Sequence, residues 1–184
     1  NSVEYTIELN NNICNFSCHN WNASQFIIIR INKPYLNPFE VNMSDDTIPG
    51  LFYRRVQELD DKVALRNKEF GIWRDISWRE YGQGVREVAC GLIGLGIRKG
   101  DCVSLIGENR PEWLYSDLGI MASGGITVGI YTTNSAEEVG YILGHSESRY
   151  FIVENEEQLD KALKVRNDLT KLEKIIVMDM KGLR

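Results

Sequence analysis

GDCVSLIGENRPEWLYSDLGIMASGGITVGIYTTNSAEEVGYILGHSESRYFIVEN, residues 100–155, decides the fold. Three short apolar runs lie in it, at 102–107, 127–131 and 150–153. Each is rich in Val, Ile or aromatic residues, and each reads as a strand buried on both faces, because polar residues do not alternate through it. The segments between them read as helices. Asn109 stands three residues before Glu112 with Pro111 in the first turn, and Ser135 stands three before Glu138. Both spacings start helices. Strand, polar corner and amphipathic helix in repetition predict a parallel sheet with right-handed crossovers. The polar corners then share one edge of that sheet, the edge where open α/β sheets bind ligands.

Working outward, Thr47 and Pro49 open a helix with Leu51, Phe52, Val56 and Leu59 on its apolar face. Residues 63–66 and 72–76 read as a hairpin about a turn at 67–71. Ser77 and Glu80 open another helix, which carries Tyr81, Val85, Val88, Ala89 and Leu92 inward and ends at Gly96. Beyond the central stretch, 156–172 reads as a charged amphipathic helix with Leu159, Ala162, Leu163, Val165 and Leu169 inward. Residues 175–178 form a fourth apolar strand. The predicted class is α/β: a mostly parallel sheet with crossover helices, preceded by a helix and a β-hairpin.

The first 42 residues differ in kind. They are crowded with Asn and Ile, lack helical periodicity, and precede the first methionine, Met43. The reading is a poorly structured leader or upstream-translated segment over 1–42, with the α/β unit over 43–184. A genuine but divergent extension is the alternative. The Asn-x-Ser triplets at Asn15, Asn22 and Asn42 are expected by chance in so Asn-rich a run.

Composition narrows the function. A net charge of -5 with no basic block argues against nucleic acid as a partner. No apolar run approaches the roughly 20 residues of a spanning helix. With no export signal in view, a cytoplasmic protein is expected, and contact with a membrane surface stays open. Cys90 and Cys102 lie in apolar settings and read as buried thiols, whereas Cys14, Cys18 and His19 lack the second ligand pair of a metal site. No metal ligand is assigned.

Three stretches in order carry a family resemblance: ISWREY at 76–81, RKGDCVSLIGENRPEW at 98–113, and MASGGITVGIYTTN at 121–134 followed by Ser135 to Val139. Together they resemble the N-terminal part of AMP-forming acyl-CoA synthetases, in the adenylate-forming superfamily. The wording GIYTTNSAEEVGYIL is nearest to the long-chain fatty-acid members, and the resemblance runs over about 46–178. It implies that a fatty acid attacks ATP at the α-phosphate with Mg2+, releasing pyrophosphate, and that coenzyme A then displaces AMP.

The family's Ser/Thr/Gly-rich phosphate loop, its magnesium-handling Thr–Glu pair, its ribose aspartate and its mobile C-terminal domain have no counterpart in the 184 residues. The resemblance therefore implies the first subdomain of such an enzyme, truncated before the phosphate loop. No catalytic residue is assigned, neither ATP, Mg2+ nor coenzyme A is expected to bind this chain alone, and self-association through an uncovered sheet is expected. By resemblance, Thr132, Thr133, Asn134, Glu154 and Asn155 lie on the coenzyme A side, where helix N-termini would favour phosphate. The competing reading is that Asn134, Ser135 and Asn155 only cap helices. A non-catalytic α/β binding module, a flavodoxin-type nucleotide module, or an adenylate-forming enzyme for another carboxylate are the alternative functions.

Overall fold

The computed structural model describes residues 47–179 in full. Before them it describes the backbone of four strands, β1 (Ser2–Leu9), β2 (Asn12–His19), β3 (Phe26–Ile27) and β4 (Arg30–Ile31). The rest of 1–46, with the start expected at Met43, and the side chains of Cys14, Cys18 and His19 lie outside the described residues.

From Thr47 the order is α1 (Ile48–Leu59), β5 (Val63–Glu69), β6 (Ile72–Ser77), α2 (Trp78–Gly94), β7 (Cys102–Ile106), α3 (Pro111–Ala122), β8 (Ile126–Ile130), α4 (Ala136–His145), β9 (Tyr150–Val153), α5 (Glu156–Val165) and β10 (Lys174–Val177). The main sheet runs β3-β10-β9-β7-β8, every neighbouring pair parallel. β5 and β6 form a separate antiparallel hairpin. The chain leaves β7 for β8 on one side and β9 for β10 on the other. The strand order therefore reverses between β7 and β9, and a crevice opens at their carboxyl ends.

Three apolar clusters stack through the unit. One face of the sheet meets α4 and α5 through Ile106, Val139, Phe151, Val153, Leu159 and Ala162. The other meets α2 and α3 through Leu92, Val103, Leu105, Ile120, Tyr150 and Ile152. Behind α2 and α3, a third cluster of Phe52, Tyr81 and Val85 fastens α1 and the base of the hairpin.

Local signals place the helix starts well. Ser77 and Glu80 form a two-way capping box, the Ser77 side chain accepting from Glu80 N–H and the Glu80 carboxylate accepting from Ser77 N–H at 2.8 Å. Ser135 and Glu138 repeat it. Ser135→Ala is expected to cost about 0.5–2 kcal/mol, because the Glu138 N–H loses its side-chain acceptor. A urea titration reads this directly, and an unchanged midpoint would mean that water replaces the cap.

Several expectations are corrected. The N-cap of α3 is Arg110 rather than Asn109, and it makes no side-chain cap bond, because Pro111 occupies the first turn and the guanidinium is engaged elsewhere. Leu51 and Leu163 face outward, at 43% and 42% exposure. The predicted helix over 156–172 stops at Val165, passes into a 3-10 turn over Arg166–Asp168, and still buries Leu169 and Leu172 beyond it. β8 is not buried on both faces: it is the sheet's edge strand, with Ile126 at 51% exposure. Cys90 and Cys102 are half-buried and unbridged.

Candidate functional site at the carboxyl edge of the sheet

The crevice between β7 and β9 is closed by one carboxylate. After Ile106 the chain turns at Gly107, where a Cβ would sit 3.2 Å from Glu154 Cβ and 3.3 Å from its Oε2. Glycine there leaves room for the Glu154 side chain to cross from the end of β9 to the end of β7. Glu154 is 9% exposed, and its Oε2 accepts from Glu108 N–H at 2.6 Å. Its Oε1 accepts from Arg110 Nη1 at 3.2 Å. The backbone ladder continues past the strand ends, with Glu154 N–H donating to Ile106 O at 3.0 Å and Asp179 N–H to Glu154 O at 2.8 Å.

Arg110 is the hub of charge. Its Nε donates to Glu112 at 2.7 Å, and its Nη1 lies 3.2 Å from Glu154 and 3.9 Å from Asp179. The hydrogen bond to Glu112, outweighing partial burial, holds the guanidinium pKa above its ordinary value. One cation thus ties together the ends of β7, β9 and β10.

A second chain of contacts fixes the corner after β8. Thr132 donates to Glu108 Oε1 at 2.6 Å, and the Lys161 ammonium on α5 donates to Thr132 O at 2.6 Å. Of the five residues on the expected coenzyme A side, Thr132 and Glu154 are thereby held in this network. Thr133 is exposed and Asn134 half-buried at the corner, and Asn155 caps α5 by accepting from Gln158 N–H at 3.2 Å. Sequence spacing gave no sign of Lys161, one charge among many on α5. Gly107 was more visible, as a glycine directly after an apolar strand.

These helix N-termini do not suit phosphate. The first turns of α4 and α5 carry Glu137, Glu138, Glu156 and Glu157, and Ser135 and Asn155 occupy the caps. Hydrogen bonds from its own backbone N–H and from Ser135 hold Glu137 below the usual carboxylate range, so the corner is anionic at neutral pH. At this edge the helix N-termini are thus already answered by their own caps and first-turn carboxylates, with Thr133 and Asn134 beside them in the corner. Among the described residues no three His, Cys, Asp or Glu side chains converge as a metal site. Arg110 and Lys161 already answer the carboxylates, so the residues present do not fit a magnesium–triphosphate group.

On the α2/α3 side of the same edge lies an apolar cleft of about 260 Å³, walled by Val88, Tyr115, Ile152, Ile176 and Met178 with Glu112 at its rim. Burial, helped by the Glu112 charge, pushes the Tyr115 phenol up to about 12, so it stays protonated. Ligand pockets usually hold roughly 300–1,000 Å³. This cleft falls just below that range.

The descriptive match to known proteins covers the same residues. The family model for AMP-binding enzymes matches residues 52–184. Over 130 residues the chain is 40% identical to the long-chain-fatty-acid–CoA ligase ACSBG2 of Xenopus laevis, covering 71% of this chain and 18% of that protein. It is 34% identical over 131 residues to the ligase ACSBG1 of Rattus norvegicus, again 71% and 18%. The chain therefore spans about a fifth of the length of these curated relatives. Among solved structures, the anthranilate CoA ligase AuaEII in complex with anthranoyl-AMP superimposes with a TM-score of 0.64 at 32% identity, covering 71% of this chain and 24% of that one. With a family-model match over most of its length and a structural match to a solved CoA ligase at 32% identity, the chain belongs to the AMP-binding, adenylate-forming enzyme family.

Proposed function

We propose that this chain is the N-terminal α/β part, residues 43–184, of the AMP-binding domain of a long-chain-fatty-acid–CoA ligase. The observation that carries the reading is the 40% identity over 130 residues to a ligase of that name. In the reaction, a fatty-acid carboxylate oxygen attacks the α-phosphorus of ATP and pyrophosphate leaves. The coenzyme A thiolate then attacks the acyl carbon of the acyl-adenylate, and AMP leaves. Mg2+ would supply charge neutralisation at the phosphates, from residues other than those described here.

The part played by this chain is to set the edge against which the thiol substrate approaches. Thr133 and Asn134 present neutral donors and acceptors, suited to the amides of the pantetheine arm rather than to its phosphates. Thr132, Glu154 and Asn155 act from behind, holding the corner in place. The chain by itself is expected neither to bind ATP nor to form acyl-CoA, since among the described residues of this edge Arg110 and Lys161 are already engaged within the fold. Loss of even one charge-stabilising donor typically costs ~10²–10³ in rate.

Calorimetry with ATP·Mg and a pyrophosphate-release assay with palmitate and coenzyme A test this. The expected result is no heat of binding and no turnover from the 184-residue chain, and both steps from a longer form that carries the phosphate loop and a C-terminal domain. Turnover by the 184 residues alone, or failure of the longer form, overturns the reading.

A further inference from the structure

The outer half of the β5–β6 hairpin stands clear of the body with apolar groups on every side. At its base, Leu65 and Ile76 pack against the third cluster. From Lys68 to Asp75 every residue is exposed, and Phe70, Ile72 and Trp73 are 93%, 67% and 64% exposed. Lys68 pairs with Trp73 and Glu69 with Ile72, which leaves Phe70 and Gly71 as a two-residue turn. Successive strand residues face opposite sides. Ile72 and Trp73 therefore occupy opposite faces, and Phe70 forms the tip.

The turn chemistry is unusual. Phe70 and Gly71 have φ of 49° and 85°, the arrangement that favours Asn-Gly or Asp-Gly. A bulky aromatic residue in the left-handed region is an outlier, and at 93% exposure it buries almost none of its apolar surface in return. The charges complete the pattern. On a protein of net charge -5, this tip carries Arg66, Lys68 and Arg74 against Glu69 and Asp75. Asp75 pairs with Arg66 at 2.9 Å and Glu69 with Arg74 at 3.4 Å, so the cation in excess is Lys68, whose ammonium lies 5.7 Å from the Trp73 ring centre.

A rigid partner meets one face of a hairpin. A wedge apolar on both faces and at its tip is matched by a fluid apolar phase that closes around it. Tryptophan and lysine then take the headgroup level, where an apolar body and a polar end are both satisfied. We propose that the tip Phe70–Gly71–Ile72–Trp73 is a membrane-contact element that inserts shallowly into a bilayer, with Lys68 against anionic headgroups. This goes beyond the ligase reading and does not depend on it.

The test uses the 184-residue chain and vesicles of phosphatidylcholine with and without phosphatidylserine. Co-sedimentation is expected, stronger with phosphatidylserine, together with quenching of tryptophan emission by brominated lipid that is lost in Trp73→Ser. Phe70→Asn is the decisive variant, because it supplies the Asn-Gly turn the backbone favours. It is expected to keep or raise the melting temperature while lowering vesicle partitioning about tenfold or more, the loss of one inserted aromatic. No vesicle binding by the parent chain, or binding unchanged in Phe70→Asn, overturns the proposal. Self-association abolished by Phe70→Asn without vesicle binding overturns it too, and assigns the tip to a second copy. Neither ATP nor coenzyme A enters the experiment, so a failed ligase assay leaves its outcome untouched.

Discussion

Gly119→Ala is expected to destabilise the protein by about 1–3 kcal/mol, although alanine is the better helix former. In an exposed helix interior the change would gain roughly 1 kcal/mol. Here Gly119 lies buried in α3, and a Cβ would meet Val88 Cγ1 at 2.6 Å, Val88 Cβ at 2.7 Å and Val85 O at 3.1 Å. A side-chain rotation of Val88 relieves only the first contact. The other two involve atoms fixed to the α2 backbone, so the helices themselves must separate.

Separation is costly because α2 is held on both sides: Leu92 is 1% exposed against the sheet, and Val85 is fully buried against the third cluster. Overpacking of this kind typically costs about 1–3 kcal/mol and outweighs the propensity gain. Urea unfolding measures it. Adding Val88→Ala should restore only part of the loss, since the Cβ contact persists. A neutral or stabilising Gly119→Ala would show that α2 and α3 pack less closely than described.

That glycine illustrates what a single sequence conceals. The parallel sheet was legible because its signals are local: apolar runs of strand length, and the Ser77–Glu80 and Ser135–Glu138 spacings, both realised as two-way caps. The burial of each strand was not local. β7, β8 and β9 read alike, but β8 is half open because strand order places it at the edge. The end of α5 was hidden for a related reason. Leu169 and Leu172 continue the apolar spacing and are buried, yet they are delivered by a 3-10 turn and a loop rather than by a longer helix.

At the candidate site, the corners at 132–134 and 154–155 lie together at the carboxyl edge of the sheet, because strand ends in such sheets converge there. What could not be read was that Glu154 is bound to Glu108 and Arg110, 46 and 44 residues away. Such pairings follow from sheet topology and leave no spacing to detect.

Glu154→Ala should therefore act on stability before it acts on any ligand. Two losses combine. Glu108 N–H loses a charged acceptor at 2.6 Å, and Arg110 loses one of its carboxylates in a setting where its own side chain is only 27% exposed. Removing one member of a fully buried pair costs about 3–5 kcal/mol, and exposed pairs are worth 1 kcal/mol or less. This pair lies between those limits, and Glu112 and Asp179 still face the guanidinium, so a loss of about 1–3 kcal/mol is expected. Glu154→Gln should cost less, because its amide oxygen still accepts from Glu108 N–H while its amide N–H₂ merely opposes Arg110. Amide hydrogen exchange supplies an independent reading: protection at Glu108 should fall in Glu154→Ala and be largely kept in Glu154→Gln. A Glu154→Ala protein with unchanged stability and unchanged exchange, but weakened coenzyme A use in the longer ligase form, would make Glu154 a ligand contact rather than the brace that joins β7 to β9.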